Sequence, residues 1–157
     1  MIAELIVRDL MNIGKAFDAA KLPVLAVIGL GVLSSLISVV PILNMLMCLL
    51  GLPLFIINVV LYAYIGYLIA KSGLEIVDSA VIGGLTALVS GIIGMVIYLG
   101  ATMLGIGASV ATGGDLTGGA ISAGLGIVAS IIGIVVGMVI GAAIAVVGHL
   151  IAGAMKK

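Results

Sequence analysis

KLPVLAVIGLGVLSSLISVVPILNMLMCLLGLPLFIINVVLYAYIGYLIAK, residues 21–71, decides the fold, because between Lys21 and Lys71 it contains no charged side chain. The hydrocarbon core of a bilayer is about 30 Å thick and takes about 20 apolar residues to cross as a helix. Residues 22–70 are therefore long enough for two crossings. Residues 79–114 and 116–155 are also free of Asp, Glu, Lys and Arg, and each supplies one more. The expected fold is all-α: a polytopic membrane protein with four transmembrane helices over about 22–40, 53–70, 79–104 and 120–150, forming a membrane domain over residues 22–157.

The charges outside these stretches predict an orientation. All six basic residues, Arg8, Lys15, Lys21, Lys71, Lys156 and Lys157, flank the apolar runs. With an even number of crossings both termini and the Lys71 loop share one side. The opposite loops then carry only Asp115. Lys and Arg concentrate on the cytoplasmic side of membrane proteins, so the expected placement is a multi-pass protein of the cell membrane with cytoplasmic N- and C-termini.

Composition agrees. The chain is 64% hydrophobic and 8% charged, far below the roughly 25% charged residues of a soluble domain. No basic patch supports nucleic-acid binding. One cysteine, Cys48, excludes an intramolecular disulfide and a Cys-based metal cluster. The first apolar run is too long for a signal h-region and no short basic region precedes it, so no cleaved leader is expected.

Residues 1–21 read as an amphipathic interfacial helix. At 100° per residue Ile2, Leu5, Ile6, Leu10, Ile13, Ala16 and Phe17 share one arc, and Glu4, Arg8, Asn12, Lys15 and Asp18 the other. Such a helix is expected to lie in the membrane surface, with Asp9 breaking the pattern. Pro23 suits the first turn of a helix. Pro41 interrupts the first apolar run, so residues 41–52, too short to cross, are expected to form a half-helix or a re-entrant turn. Pro53 then restarts the chain, and the second span ends with Lys71 and Gly73, a basic last turn followed by a helix-stopping glycine. Asp78 or Ser79 is placed to cap the third span. Residues 105–119, rich in Gly, Ser, Thr and Ala, are expected to form a mobile loop.

Small residues carry the main packing signal. Nineteen of the 24 glycines lie at or after Gly73. The fourth span has a small residue at every fourth position: Ala129, Gly133, Gly137, Gly141 and Ala145. The third has Gly83, Ala87 and Gly91, with Gly84 and Gly94 nearby. Lipid gives helices no hydrophobic drive to associate, so association depends on close backbone approach, for which small residues four apart make a groove. Such a helix-packing seam joins helices of one chain or of two.

The polar residues within the spans are mild ones. Asn58 and Tyr62, four apart, share a face and either line a small polar cavity or hydrogen-bond between helices. Tyr67 is placed as an interface anchor, and His149, near the chain end, as an interfacial residue. Pumps and proton relays use an ionisable group inside the bilayer, and none lies mid-span here. A nucleophile needs an adjacent base and a metal needs clustered ligands. One His, one Cys and six scattered acids supply neither, so neither enzyme activity, a cofactor nor a metal is expected.

Pro41-Ile42-Leu43-Asn44, then Cys48, the second span, Lys71, Asp78 and the glycine-rich start of the third span at Gly83 and Gly84 resemble a pattern in small, uncharacterised multipass membrane proteins of bacteria and archaea. The resemblance covers about residues 30–95 and departs at Cys48, where such proteins often carry several cysteines. It implies the order span, turn, span, basic loop, span, and no activity or site residue.

The function expected from these readings is a non-catalytic structural or accessory subunit acting through lateral helix packing, whose partners are the bilayer and other membrane subunits or copies of itself. The alternative is an oligomeric pore or carrier for a small neutral or lipophilic solute. An enzyme acting on lipid is the least supported.

Overall fold

The protein is described by a computed structural model covering residues 2–39, 41–111 and 116–155, with side chains described over 12–37, 49–105 and 124–155. Four helices account for these residues: α1 (Ile2–Val39), α2 (Pro41–Lys71), α3 (Ile76–Ala111) and α4 (Leu116–Met155). Each contains a segment long and apolar enough to cross a membrane: Asn12–Ile37, Leu49–Lys71, Ile76–Gly105 and Gly124–Met155. This is an all-α, multi-pass membrane protein.

The N-terminal surface helix is not a separate element. Residues 2–20 are the first half of α1, which continues through Pro23 to Val39. Proline is tolerated inside a membrane helix when its surroundings re-satisfy the freed backbone group. Here the packing face runs unbroken past it: Ala16, Ala20, Val24 and Val27 are all at most 2% exposed, at spacings of four, four and three, which is one helical stripe. The apolar arc that suggested a membrane-surface helix faces the bundle at Ile13 and Ala16, and Ile13 packs against the core. The side chain of Asp9 lies outside the described residues.

Residues 41–52 likewise form neither a half-helix nor a re-entrant turn. Pro41 occupies the first turn of α2, where its missing N–H removes no hydrogen bond, and Pro53 lies inside the same helix. α1 therefore ends at Val39 and α2 begins at Pro41, with residue 40 outside the described residues. The expected loop over 105–119 shrinks in the same way: α3 runs to Ala111 and α4 begins at Leu116, and residues 112–115 lie outside the described residues.

The α2–α3 turn is fixed by its own backbone. Gly73 has φ of +75°, the left-handed region that a side chain disfavours. The Leu74 N–H donates to Ile69 C=O at 3.4 Å and the Gly73 N–H to Ala70 C=O at 3.1 Å, the two bonds of a Schellman motif. Leu74 packs against the core cluster, supplying the motif's apolar contact. On the other side of the turn the Glu75 N–H donates to Asp78 Oδ2 at 3.0 Å. Asp78 thus caps α3 from its third position, reaching back as the acidic half of a capping box does, and Ser79 is left for another role.

The helices form a ring in the order α1, α2, α4, α3. Each touches its two ring neighbours, α2 and α3 touch sparingly across one diagonal, and among the described residues α1 and α4 do not touch at all. Close approaches fix the directions. Gly31 and Ser35 meet Ser90 and Gly94, so α1 and α3 run parallel. Gly83, Gly91 and Gly126 meet Gly141, Ile134 and Tyr98, so α3 and α4 run antiparallel. The described lysines, Lys15, Lys21 and Lys71, are exposed at one end of this ring, the basic end.

Burial is concentrated near that end. The core cluster joins Ala16, Ala20, Val24 and Val27 of α1 to Ile65 and Ile69 of α2 and Ile82 of α3. Large apolar side chains face outward elsewhere: Leu22, Leu104 and Leu125 are 68–78% exposed. In water such a belt would be an aggregation surface; in a bilayer it is the solvated face.

Candidate helix seam and central cavity

The small residues of α4 divide into two groups. Gly141 and Ala145 lie in the seam. A Cβ added at Gly83 would fall 2.6 Å from the Gly141 carbonyl oxygen and 2.7 Å from the Ala145 Cβ, and one added at Gly141 would fall 3.1 Å from the Ala87 Cβ. Separations under 3.0 Å do not occur between real atoms of this kind, so glycine is required for helices this close. Gly91 packs on Ile134 rather than on a small residue. A Cβ added at Gly133 or Gly137 would meet nothing within 4 Å, and Ala129 is exposed. The four-residue repeat is thus continuous in sequence, but its contacts stop at Gly141.

Two contacts absent from the sequence reading are tighter still. Gly66 of α2 lies against the Ala145 carbonyl, and Gly148 of α4 against the Ala63 backbone. These join α2 to α4, whereas Gly83 and Gly141 join α3 to α4. The same spacing rule points to them: Gly66 precedes Ala70 by four residues, and Gly148 precedes Ala152 by four. Both alanines are buried.

Above the seam, toward the end opposite the lysines, residues of all four helices line an open cavity of about 470 Å³. Gly133 and Gly137 lie on its wall, which explains the open space beside them. Asn58 and Tyr62 are brought together there, on the α2 wall, with Ser90 of α3 also lining it. The Asn58 Nδ2 donates to the Leu54 carbonyl at 3.0 Å, a bond within its own helix rather than the interhelical bond considered from sequence. Other hydroxyls do the same: Ser35 to Gly31 at 2.8 Å, Thr86 to Ile82 at 2.7 Å and Ser130 to Gly126 at 2.8 Å. Back-bonding to a carbonyl four residues earlier satisfies a hydroxyl's donor within its own helix.

A hydrogen bond does cross helices at the basic end. Ser79 Oγ and His149 Nδ1 are 2.8 Å apart, linking α3 to α4, with the proton on either atom according to the imidazole tautomer. Ser79 is fully buried and His149 half-buried, so His149 is packed against α3 as well as lying near the basic end. A Cβ at Gly66 would fall 3.0 Å from the His149 backbone nitrogen, so α2 closes the same site from its other side. Tyr67 stacks on Tyr64 with ring centroids 6.1 Å apart. Among the described residues no three His, Cys, Asp or Glu side chains gather as metal ligands would.

No protein-family model, curated protein or solved structure significantly matches the chain, so the resemblance to small multipass membrane proteins rests on the residues quoted for it.

Proposed function

We propose that this chain is a non-catalytic structural or accessory subunit of a membrane assembly, oriented with the basic end and both termini in the cytoplasm. The observation that carries this reading is the outward face of the bundle. Helix α4 packs through the narrow stripe of Gly141, Ala145, Gly148 and Ala152, and its other faces present Val135, Val139, Val147 and Ile151 at 50–62% exposure. With its described residues almost wholly in four apolar helices, its available contacts are lateral, to lipid, to other subunits or to itself. The orientation is supported by Lys15, Lys21 and Lys71 at one end and by the bias of Lys and Arg toward the cytoplasm.

Isolation from native membranes in mild detergent, followed by mass spectrometry, tests the reading. A fixed set of other membrane subunits, or a stable homo-oligomer, is expected; a monomer with no reproducible partner overturns it. Single-cysteine labelling in a Cys48→Ser background tests orientation, and labelling at Ser72 from outside the cell would reverse it.

The central cavity favours a second reading, a carrier for a small neutral or lipophilic solute. Solute uptake into vesicles containing only this protein would separate it from the first.

A further inference from the structure

We propose that the central cavity is a binding site for a neutral, lipid-soluble molecule with an apolar body and one carbonyl or hydroxyl group, seated with that group against Asn58 and Tyr62. The inference goes beyond lateral packing and needs binding alone, so it holds whether or not anything is transported.

The size fits. About 470 Å³ falls within the roughly 300–1,000 Å³ of ordinary small-molecule sites. The depth fits as well: Asn58 and Ser90 lie near the middle of the spanning segments Leu49–Lys71 and Ile76–Gly105, so a ligand must partition into hydrocarbon to arrive.

Charge is excluded by the wall. No Asp, Glu, Lys, Arg or His lines the cavity, and an ionised ligand there would be a buried charge without a counter-charge, which costs far more than contacts of this kind return. Polarity, however, is available on the α2 wall. Asn58 commits one amide hydrogen to Leu54, leaving a second N–H and the Oδ1 acceptor. Tyr62 lies one turn further along the same face. Together they offer two donors and an acceptor, enough for one carbonyl or hydroxyl. The facing wall is aliphatic, with Ile134, Ile140 and Gly137 from α4, and suits the apolar body. The missing side chain at Gly137 is part of the space: nothing lies within 4 Å of where its Cβ would be.

Benzophenone is a suitable probe, being neutral, apolar and equipped with one carbonyl that also crosslinks on illumination. The full chain in lipid nanodiscs should form adducts that map by mass spectrometry to cavity side chains such as Met95 and Ile134. Gly137→Leu should reduce this labelling at least fivefold by filling the space, and Asn58→Leu should reduce it by removing the polar anchor. The charged analogue 4-benzoylbenzoate should label the parent protein at least fivefold less at the same positions. Adducts spread evenly over outward residues such as Leu125 and Val135 would overturn the proposal. So would equal cavity labelling by the carboxylate probe, a comparison that uses only the parent protein and does not depend on any variant folding.

Discussion

The two halves of this bundle use the same residue types in opposite ways. Near the basic end, glycine and alanine bring backbones into contact, and Val24, Val27, Ile65, Ile69 and Ile82 fill what space remains. Toward the other end, Gly133 and Gly137 continue the same four-residue repeat but border open space, and the helices line a cavity. A small residue therefore has no fixed meaning in a membrane helix: it closes a gap where the facing element is also small, and leaves one where that element stands away. The difference lies with the partners. Gly141 faces Gly83 and Ala87, whereas Gly133 and Gly137 face the interior of the ring.

The contrast breaks if substitutions in the two halves behave alike. The largest effect is expected for Gly66→Leu or Gly148→Leu, where backbone rather than a flexible side chain blocks the added atoms. Overpacking costs about 1–3 kcal/mol when side chains yield and more when backbone must move, so a melting temperature in detergent lowered by roughly 10 °C or more is expected. Gly137→Leu should leave it within about 2 °C, in line with the near-neutral cost of filling open space. Equal losses at Gly137 and Gly148 would abolish the distinction.

Next in size is Ile65→Ala. Its side chain is fully buried, and truncation of such a residue costs about 2–5 kcal/mol. Phe55→Ala, at the cavity and 64% exposed, should cost little by comparison, as denaturation followed by helical circular dichroism would show.

Ser79→Ala sharpens the picture at the α3–α4 contact. It deletes the partner of His149, and hydrogen bonds between membrane helices are worth about 0.6–2 kcal/mol. Ser79→Thr, which keeps a hydroxyl, should recover part of the loss. A melting temperature unchanged in Ser79→Ala would show that packing alone holds this site.

Among the substitutions expected to destabilise, the smallest loss is expected for Gly73→Ala. A side chain in the left-handed region costs about 1 kcal/mol, and Gly73→Asn should cost less because asparagine visits that region more readily. Identical stabilities for the two variants would argue that the turn relaxes.

The four crossings and the basic end were legible because both depend on where charge is absent, which needs no knowledge of neighbours. Helix ends were not. Pro23 and Pro53 read as helix starts and Pro41 as an interruption, yet only Pro41 begins an element, and the other two lie within helices. A proline marks a missing N–H but does not say whether packing continues past it. Residues 2–20 show the same limit, since an apolar stripe looks alike whether it faces lipid or protein. In the site, the spacing of Gly83, Ala87, Gly141 and Ala145 was visible, and so was the shared face of Asn58 and Tyr62. The division of the repeat at Gly137 was not, and neither was the pairing of Ser79 with His149, 70 residues apart, because both depend on what the fold places opposite.

The α2–α3 turn reaches further than its size suggests. It ties together two helices that meet near Ile69 and Ile82 and then stand on opposite sides of the cavity. From that fixed point each helix forms an arm of about 30 Å over the 20 residues leading away from the turn, at 1.5 Å per residue. A rotation of one degree at the turn displaces the far end by about 0.5 Å on such an arm. The breadth of the central chamber is therefore sensitive to the angle set at this turn by Gly73, Leu74 and Asp78.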